Sequence, residues 1–260
     1  MSLVDLQVSP EKIATLTLND PERLNAMSLQ MATDFAARVI ELEDHAPRMI
    51  ILRGAGRSFS AGGDLQMLDD NSHQTARQNE RQMLEFYSSF LDILDLNVPI
   101  IAALQGYVVG AGFCLACACD LRVAEEGTVF SAPFLHMGLF PGMGATLSLP
   151  RALGNLGIEL LLSGRRMKAE EAHRAGFLSR LVGLGLATQE AEALARDLLR
   201  SSPNVTKQLL EALRPTRRER LVYLEREAKL QGQSYLEEEF RLGLAAAKVK
   251  GPSPFAPPET

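Results

Sequence analysis

Cysteine is scarce: the chain has three, Cys114, Cys117 and Cys119, all inside one apolar segment. Thiols this close together cannot build the spread of bridges that staples a small secreted domain, so reduced side chains in a core are expected. Long hydrophobic runs are missing as well. The longest, residues 106–119, is 14 residues, against the roughly 20 that a membrane-crossing helix needs, and it reads as buried core. Positive charge is in deficit, with 27 Lys+Arg against 32 Asp+Glu for a net charge of -5. A broad cationic footprint for nucleic acid is therefore not expected, which leaves room only for a local cationic patch toward a phosphorylated ligand. No basic stretch leading into an apolar run and a small-residue cleavage site stands near the N-terminus, so neither secretion nor a membrane partner is expected and the protein is read as cytoplasmic. Within these exclusions the composition is that of an ordinary globular protein. Its 260 residues, 46% hydrophobic and 23% charged, are ample to bury a site.

Hydrophobic periodicity predicts the architecture. Ala14, Leu16 and Leu18 alternate with Thr15 and Thr17 as a half-buried strand requires, and Asn19-Asp20-Pro21 stops it. From an N-cap at Ser28, Phe35, Val39 and Leu42 recur at helical spacing up to Pro47. Met49-Ile50-Ile51-Leu52 and Ile100-Ile101-Ala102-Ala103-Leu104 are continuous apolar runs too short for helices, which predicts strands covered on both faces. Between them lie a Gly/Ser-rich turn over residues 54–63 and a longer helical stretch ending before Pro99. Short strands over 121–123, 129–131 and 177–182 follow, with a helix around 158–162. This alternation predicts an α/β core over residues 1–186. After that the strand signals stop, and helical segments over 188–200, 205–213 and 217–247 predict a C-terminal helical region, residues 187–260, that a monomer leaves partly uncovered.

Two segments offer backbone N–H groups to a ligand: Ser60-Ala61-Gly62-Gly63-Asp64 and Gly106-Tyr107-Val108-Val109-Gly110-Ala111-Gly112. Each follows a predicted strand and precedes a predicted helix, so free amides at a helix start could face a negative oxygen; glycines that merely form tight turns are the alternative. Sharper motifs fail. Gly110-Ala111-Gly112 lacks the third glycine and the acidic partner of a dinucleotide fingerprint, and the glycines over 138–144 have no lysine of a P-loop. The cysteine spacing resembles a zinc knuckle without a second ligand pair, so no metal is expected. No Gly-x-Ser-x-Gly elbow is present, and His45 and His173 stand in charged, solvent-facing helical surroundings.

At these two turns the sequence resembles the enoyl-CoA hydratase/isomerase family, also called crotonases. The resemblance rests on Asp20-Pro21-Glu22-Arg23-Leu24-Asn25-Ala26, Ser58-Phe59-Ser60-Ala61-Gly62-Gly63-Asp64-Leu65 and residues 106–112. It continues in order through Cys119-Asp120, Gly138-Leu139-Phe140-Pro141-Gly142, Leu162-Ser163-Gly164, Glu171-Ala172 and Ala175-Gly176-Phe177. It implies a crotonase-like spiral of β-β-α units with a C-terminal helical trimerisation region, a homotrimer or dimer of trimers, and an acyl-CoA thioester as substrate with no further cofactor. By motif match, the Gly63 and Ala111 amides would form an oxyanion hole for the thioester oxygen, one such donor being worth about 2.7–4 kcal/mol. Arg23, Leu24, Ala26, Ala61, Gly62, Asp64 and Leu65 match the stretches that pack on CoA. Gln66 replaces a lysine common in the family, and Lys248 and Lys250 are candidates to supply that charge instead.

Hydratases of the family use two glutamates to hold the water and move its protons. Their positions here are Cys114 and Phe134. Positioned acid–base groups contribute about 10²–10⁴-fold, and neither a thiol nor a phenyl ring replaces a carboxylate. Ordinary hydration is therefore not expected, while decarboxylation, C–C cleavage and isomerisation stay open, and the rival reading is a catalytically silent acyl-CoA-binding or scaffold subunit. If residues 134–136 are extended, a period of two turns His136 to the same side as Phe134 and makes it a candidate acid or base. Asp64 is read as the cap of a helix starting at Leu65, and His73, Glu80 and Glu85 as solvent-facing helix positions that could also approach the pocket.

Overall fold

The computed structural model describes residues 2–256. In chain order the strands are β1 (Val4–Val8), β2 (Ile13–Leu18), β3 (Met49–Gly54), β4 (Ile100–Leu104), β5 (Tyr107–Val109), β6 (Leu121–Glu125), β7 (Val129–Ser131), β8 (Arg166–Lys168) and β9 (Arg180–Val182). The α-helices are α1 (Leu29–His45), α2 (Leu65–Asn71), α3 (Ala76–Leu91), α4 (Ala111–Ala118), α5 (Ala145–Leu153), α6 (Asn155–Ser163), α7 (Ala169–Arg174), α8 (Ala187–Leu198), α9 (Pro203–Leu213), α10 (Arg217–Ser234) and α11 (Glu238–Lys248). A six-stranded sheet in the order β1-β2-β3-β4-β6-β9 is parallel except at β1, and a smaller sheet has the order β5-β7-β8. No helix among the described residues is long and apolar enough to cross a membrane.

The continuous apolar runs are strands buried on both faces, as their composition predicts. Alternate residues part company: Ile50, Leu52, Ile100 and Ala102 join the main core, while Met49, Ile51, Ile101 and Ala103 face a second, smaller one. That second face is covered by Ala187, Ala191 and Ala195, one small residue per turn of α8. Although strand signals cease at residue 186, α8 thus packs directly on the sheet. Farther along, α10 crosses α3 so closely that a Cβ at Gly232 would lie 2.8 Å from the Ala76 carbonyl oxygen.

Three local expectations need correction. The helix expected over 217–247 breaks between Ser234 and Glu238, because Tyr235 turns inward and meets Phe240 edge-on at 5.0 Å. The strand expected over 177–182 is reduced to Arg180–Val182, since Phe177 is drawn into an aromatic cluster with Phe113 and Phe130 at 5.7 and 5.5 Å. Residues 134–136 are not extended. Phe134 is helical (φ -55, ψ -48), and its carbonyl closes a tight turn by accepting from the Met137 and Leu139 amides.

Two charged side chains anchor the chain segments around the core. Arg122 stacks over Phe177 at 4.6 Å and gives its guanidinium to the Cys119 and Ala116 carbonyls at 2.5 and 3.3 Å, so a cation closes the C-terminus of α4. Asp120 pairs with the partly buried Arg214 at 2.5 Å, which also donates to the Leu94 and Val98 carbonyls and thereby ties the end of α9 to the start of β4. Asp120→Ala is expected to cost about 3 kcal/mol by leaving Arg214 unpaired, read as a shift of the denaturant midpoint at constant slope. The three thiols, all on or beside α4, are buried; burial pushes Cys114 and Cys117 far up and Cys119 up to about 12. A raised thiol stays protonated at pH 8, and only the thiolate is nucleophilic. Native protein is therefore expected to resist iodoacetamide at pH 8, with all three alkylated once it is unfolded, as mass spectrometry of the intact chain will show.

Candidate active site

The site begins with three chain segments held edge to edge by their backbones. Ser60 pairs with Val108 in parallel fashion, its N–H donating to the Tyr107 carbonyl at 3.1 Å and its carbonyl accepting from Val109 at 3.0 Å. Met27 pairs with Gly63 on the other side, donating to the Gly62 carbonyl at 2.7 Å and accepting from the Asp64 amide at 3.1 Å. In such a parallel bridge the central residue keeps its own N–H turned away from its partner. Gly63 is that residue. Among the described residues its amide has no protein acceptor, and neither has that of Ala111, the first residue of α4.

The two turns can meet only because Gly62 carries no side chain, and Gly110 supplies the positive φ of the second turn. Both have positive φ, +96° and +53°, and a Cβ on Gly62 would lie 2.9 Å from the Val109 carbonyl oxygen. The loop before them is fixed by Asn25, which is buried and left-handed at φ 54°. Its side-chain amide donates to the Ala55 and Ser58 carbonyls and accepts from the Asp20 amide, and the Ser60 hydroxyl donates to its carbonyl at 2.8 Å. The turn motifs of the sequence are thus a single hydrogen-bonded unit.

This unit forms one wall of a cavity of about 440 Å³. Arg23, Ala26, Ala61, Gly62, Gly63, Asp64, Leu65, Ala111 and Phe134 all line it, so the structure brings most of the expected site residues together. Arg23 bonds Asp20 at 2.8 Å and lies 3.3 Å from Asp64, and the Asp20 contact holds its guanidinium above the ordinary value. The Asp64 side chain caps α2 by accepting from the Met67 amide at 2.9 Å, in the structural role expected of it. Leu24 acts through its carbonyl, which accepts from the Ala61 amide at 2.9 Å.

Other expected residues lie elsewhere. Cys114 is fully buried and does not border the cavity. His136, on the tight turn, faces Gly164, where a Cβ would come within 2.8 Å of its ring, and it borders a separate cavity of about 370 Å³ together with Lys250. The geometric premise that joined His136 to Phe134 is therefore absent. Lys248 pairs with Asp69 of α2 at 2.7 Å. His73, Glu80 and Glu85 do not border the cavity either.

The closed end of the cavity holds residues that sequence reasoning missed. Tyr87 of α3 and Gln231 and Tyr235 from the α10 end meet there, with Gln231 Oε1 2.6 Å from the Tyr87 hydroxyl and 3.2 Å from that of Tyr235. Burial pushes both phenols well above their usual range, helped for Tyr87 by Tyr235, Glu227 and Cys114 nearby. Tyr87 and Gln231 are 144 positions apart, and no local pattern links them. Beneath them the Glu227 carboxylate accepts from the Gly144 and Thr146 amides at 2.7 and 2.8 Å and from the Thr146 hydroxyl at 2.5 Å, which fixes the start of α5; burial raises this carboxyl.

Comparison with known proteins identifies the family and the fold. The description of one family, enoyl-CoA hydratase/isomerase, matches residues 9–257. The "Probable enoyl-CoA hydratase echA8" of Mycobacterium tuberculosis is 32% identical over 205 residues, 78% of each chain. Among solved structures, an enoyl-CoA hydratase from Bacillus halodurans superimposes with a TM-score of 0.85 at 25% identity over 94% of this chain and 100% of that one. OdaA from Pseudomonas aeruginosa gives 0.82 at 26% identity over 95% and 99%. With a family description that matches residues 9–257 and a shared fold, the chain belongs to the enoyl-CoA hydratase/isomerase family.

Proposed function

We propose that the protein is an enzyme that binds an acyl-CoA thioester and stabilises its enolate, with the Gly63 and Ala111 amides as the oxyanion hole. One observation carries the reading: two backbone N–H groups without protein acceptors among the described residues, on either side of the Gly62–Gly110 contact, border the same cavity. Donors fixed in place before the reaction and shielded from water hold a developing oxyanion at no cost in reorganisation. At the mouth, Arg23, Ala26, Ala61, Gly62, Asp64 and Leu65 supply the surface for the CoA. Lys248, one residue past the cavity-lining Ala247, supplies charge near it, whereas Lys250 opens onto the neighbouring cavity.

Among the described residues Asp64 is the only carboxylate bordering the cavity, and it is occupied in capping α2. The two-glutamate route to hydration has no substitute in this lining. Reactions that need mainly enolate stabilisation fit better, namely C–C cleavage or decarboxylation, while double-bond isomerisation is weakened because Phe134 stands where the family's isomerases keep a glutamate. The same lining favours a second reading, a silent acyl-CoA-binding subunit, because its other ionisable groups are the paired Arg23 and two phenols of raised pKa. The proposal also includes self-association into trimers or pairs of trimers. It is supported by Val205, Leu209 and Leu213, which recur every fourth residue on α9 and are 61%, 55% and 55% exposed.

The test of the enzyme reading uses crotonyl-CoA and a panel of other thioesters, followed by mass spectrometry. Little or no water addition to crotonyl-CoA is expected, with turnover of at least one other thioester. Ala111→Pro removes one donor at a helix position that tolerates proline, and should lower that turnover about 10²–10³-fold while CoA binding persists. Binding without turnover of any thioester would establish the silent subunit. In light scattering the wild type is expected at three or six chain masses, and Leu209→Glu at one.

A further inference from the structure

We propose that the protein has a second ligand site, apart from the cavity beside the Gly63 and Ala111 amides, and that it takes a free fatty carboxylate: one apolar chain with one negative head. A cavity of about 350 Å³ lies between α4, α5 and the connection from α9 to α10. Leu91, Leu147, Leu210, Leu224 and Ala118 are among its walls. Met143 is the only described residue that borders both this cavity and the one beside the two amides, so the two spaces are distinct. None of the groups assigned to the enolate chemistry above lies in it.

The sign of the head follows from the charges around these walls. Four arginines border the cavity, Arg122, Arg151, Arg214 and Arg220, against one carboxylate, Asp120. Asp120 is committed to Arg214, and Arg220 is paired by Asp95, which is not part of the lining. Arg122 and Arg151 make no ion pair among the described residues. Arg122 gives its hydrogens to backbone carbonyls, and Arg151 donates to the Leu213 carbonyl. Glu219 is kept below its usual pKa first by the Thr216 hydroxyl and amide, which bond its carboxylate at 2.8 and 2.7 Å, and only then by Arg151. Two positive charges therefore stay unbalanced beside an apolar space, which disfavours a cation and favours an anion. The thiols there register the same sign: burial raises Cys117 and Cys119, and Arg122 opposes it at both.

The placement of the charge orients the ligand. Arg151 is exposed, whereas Leu91, Leu224 and Met143 are 4%, 3% and 1% exposed. A head at the rim can meet the planar fork of Arg151, which matches a carboxylate, while its chain runs inward among the leucines. A bare inorganic anion would leave those leucines uncovered, and an uncharged chain would leave the excess charge unanswered.

The test is calorimetric titration of the full-length protein with decanoate, decanol and decyltrimethylammonium, all below micelle-forming concentrations, repeated on Arg151→Glu and with butyryl-CoA present. A single decanoate should bind each wild-type chain about tenfold or more tightly than decanol, and decyltrimethylammonium should not bind. Arg151→Glu, a change at an exposed position, should weaken decanoate about tenfold or more and leave decanol within about twofold. Ala152→Trp, which fills the cavity from α5, should remove both ligands while the thermal midpoint shows the chain still folded. Equal wild-type affinity for decanoate and decanol, or decanoate binding unchanged in Arg151→Glu, would overturn the proposal. So would displacement of decanoate in proportion to the butyryl-CoA added, because the acid would then sit beside the Gly63 and Ala111 amides. If butyryl-CoA itself fails to bind, the acyl-CoA reading falls alone, and the two variants decide this site.

Discussion

The molecule is organised by the contact between two backbones at Gly62 and Gly110. Neither turn could come so near if position 62 carried a Cβ, and neither would hold its place without the bridge through Ser60 and Val108. Ser60 ties the contact together, since its backbone joins the second turn while its hydroxyl reaches the Asn25 carbonyl and accepts from the Gly62 amide. Asn25 in turn locks the first loop, so three segments far apart in sequence have a common fixed point. The strands behind them are buried on both faces and supply the rigid support that such a close approach needs.

Polarity is distributed unevenly around the cavity. Charge is kept at the mouth, where Arg23 balances Asp20 and Asp64, and the floor is neutral but hydrogen-bonded. Other charged groups, outside the lining, act on the frame. Glu227 holds the start of α5, and the Asp120–Arg214 pair holds α9 against β4. The C-terminal helices are consequently part of the site's construction: α8 closes a face of the sheet, and α10 delivers Gln231 to the cavity.

How far the sequence could be read depended on the range of the interaction concerned. The strands at 49–52 and 100–104, the caps at Ser28 and Asp64 and the two glycine turns are local features, and each is found where composition and spacing put it. The family likeness added which turns meet. What stayed hidden was set by distant partners. Tyr87 reads as one more aromatic on the apolar side of α3, and Gln231 as one more polar residue in a charged helix, until folding brings them within 2.6 Å. The expectation for His136 failed for a related reason. It assumed extended backbone where the Phe134 carbonyl closes a turn, and a change of period moves a side chain to another face.

The free amides at Gly63 and Ala111 belong to the main chain, and this affects how the protein can change over generations. A function carried by a side chain is lost in one exchange, as a glutamate becomes a cysteine or a phenylalanine. Donors carried by the backbone survive nearly every exchange at their own positions and are encoded instead by the fold around them. Heritable variation can therefore rework the floor and walls of the cavity while the polar pair at its edge persists, and descendants of one ancestor can differ in chemistry while sharing the same starting point for it.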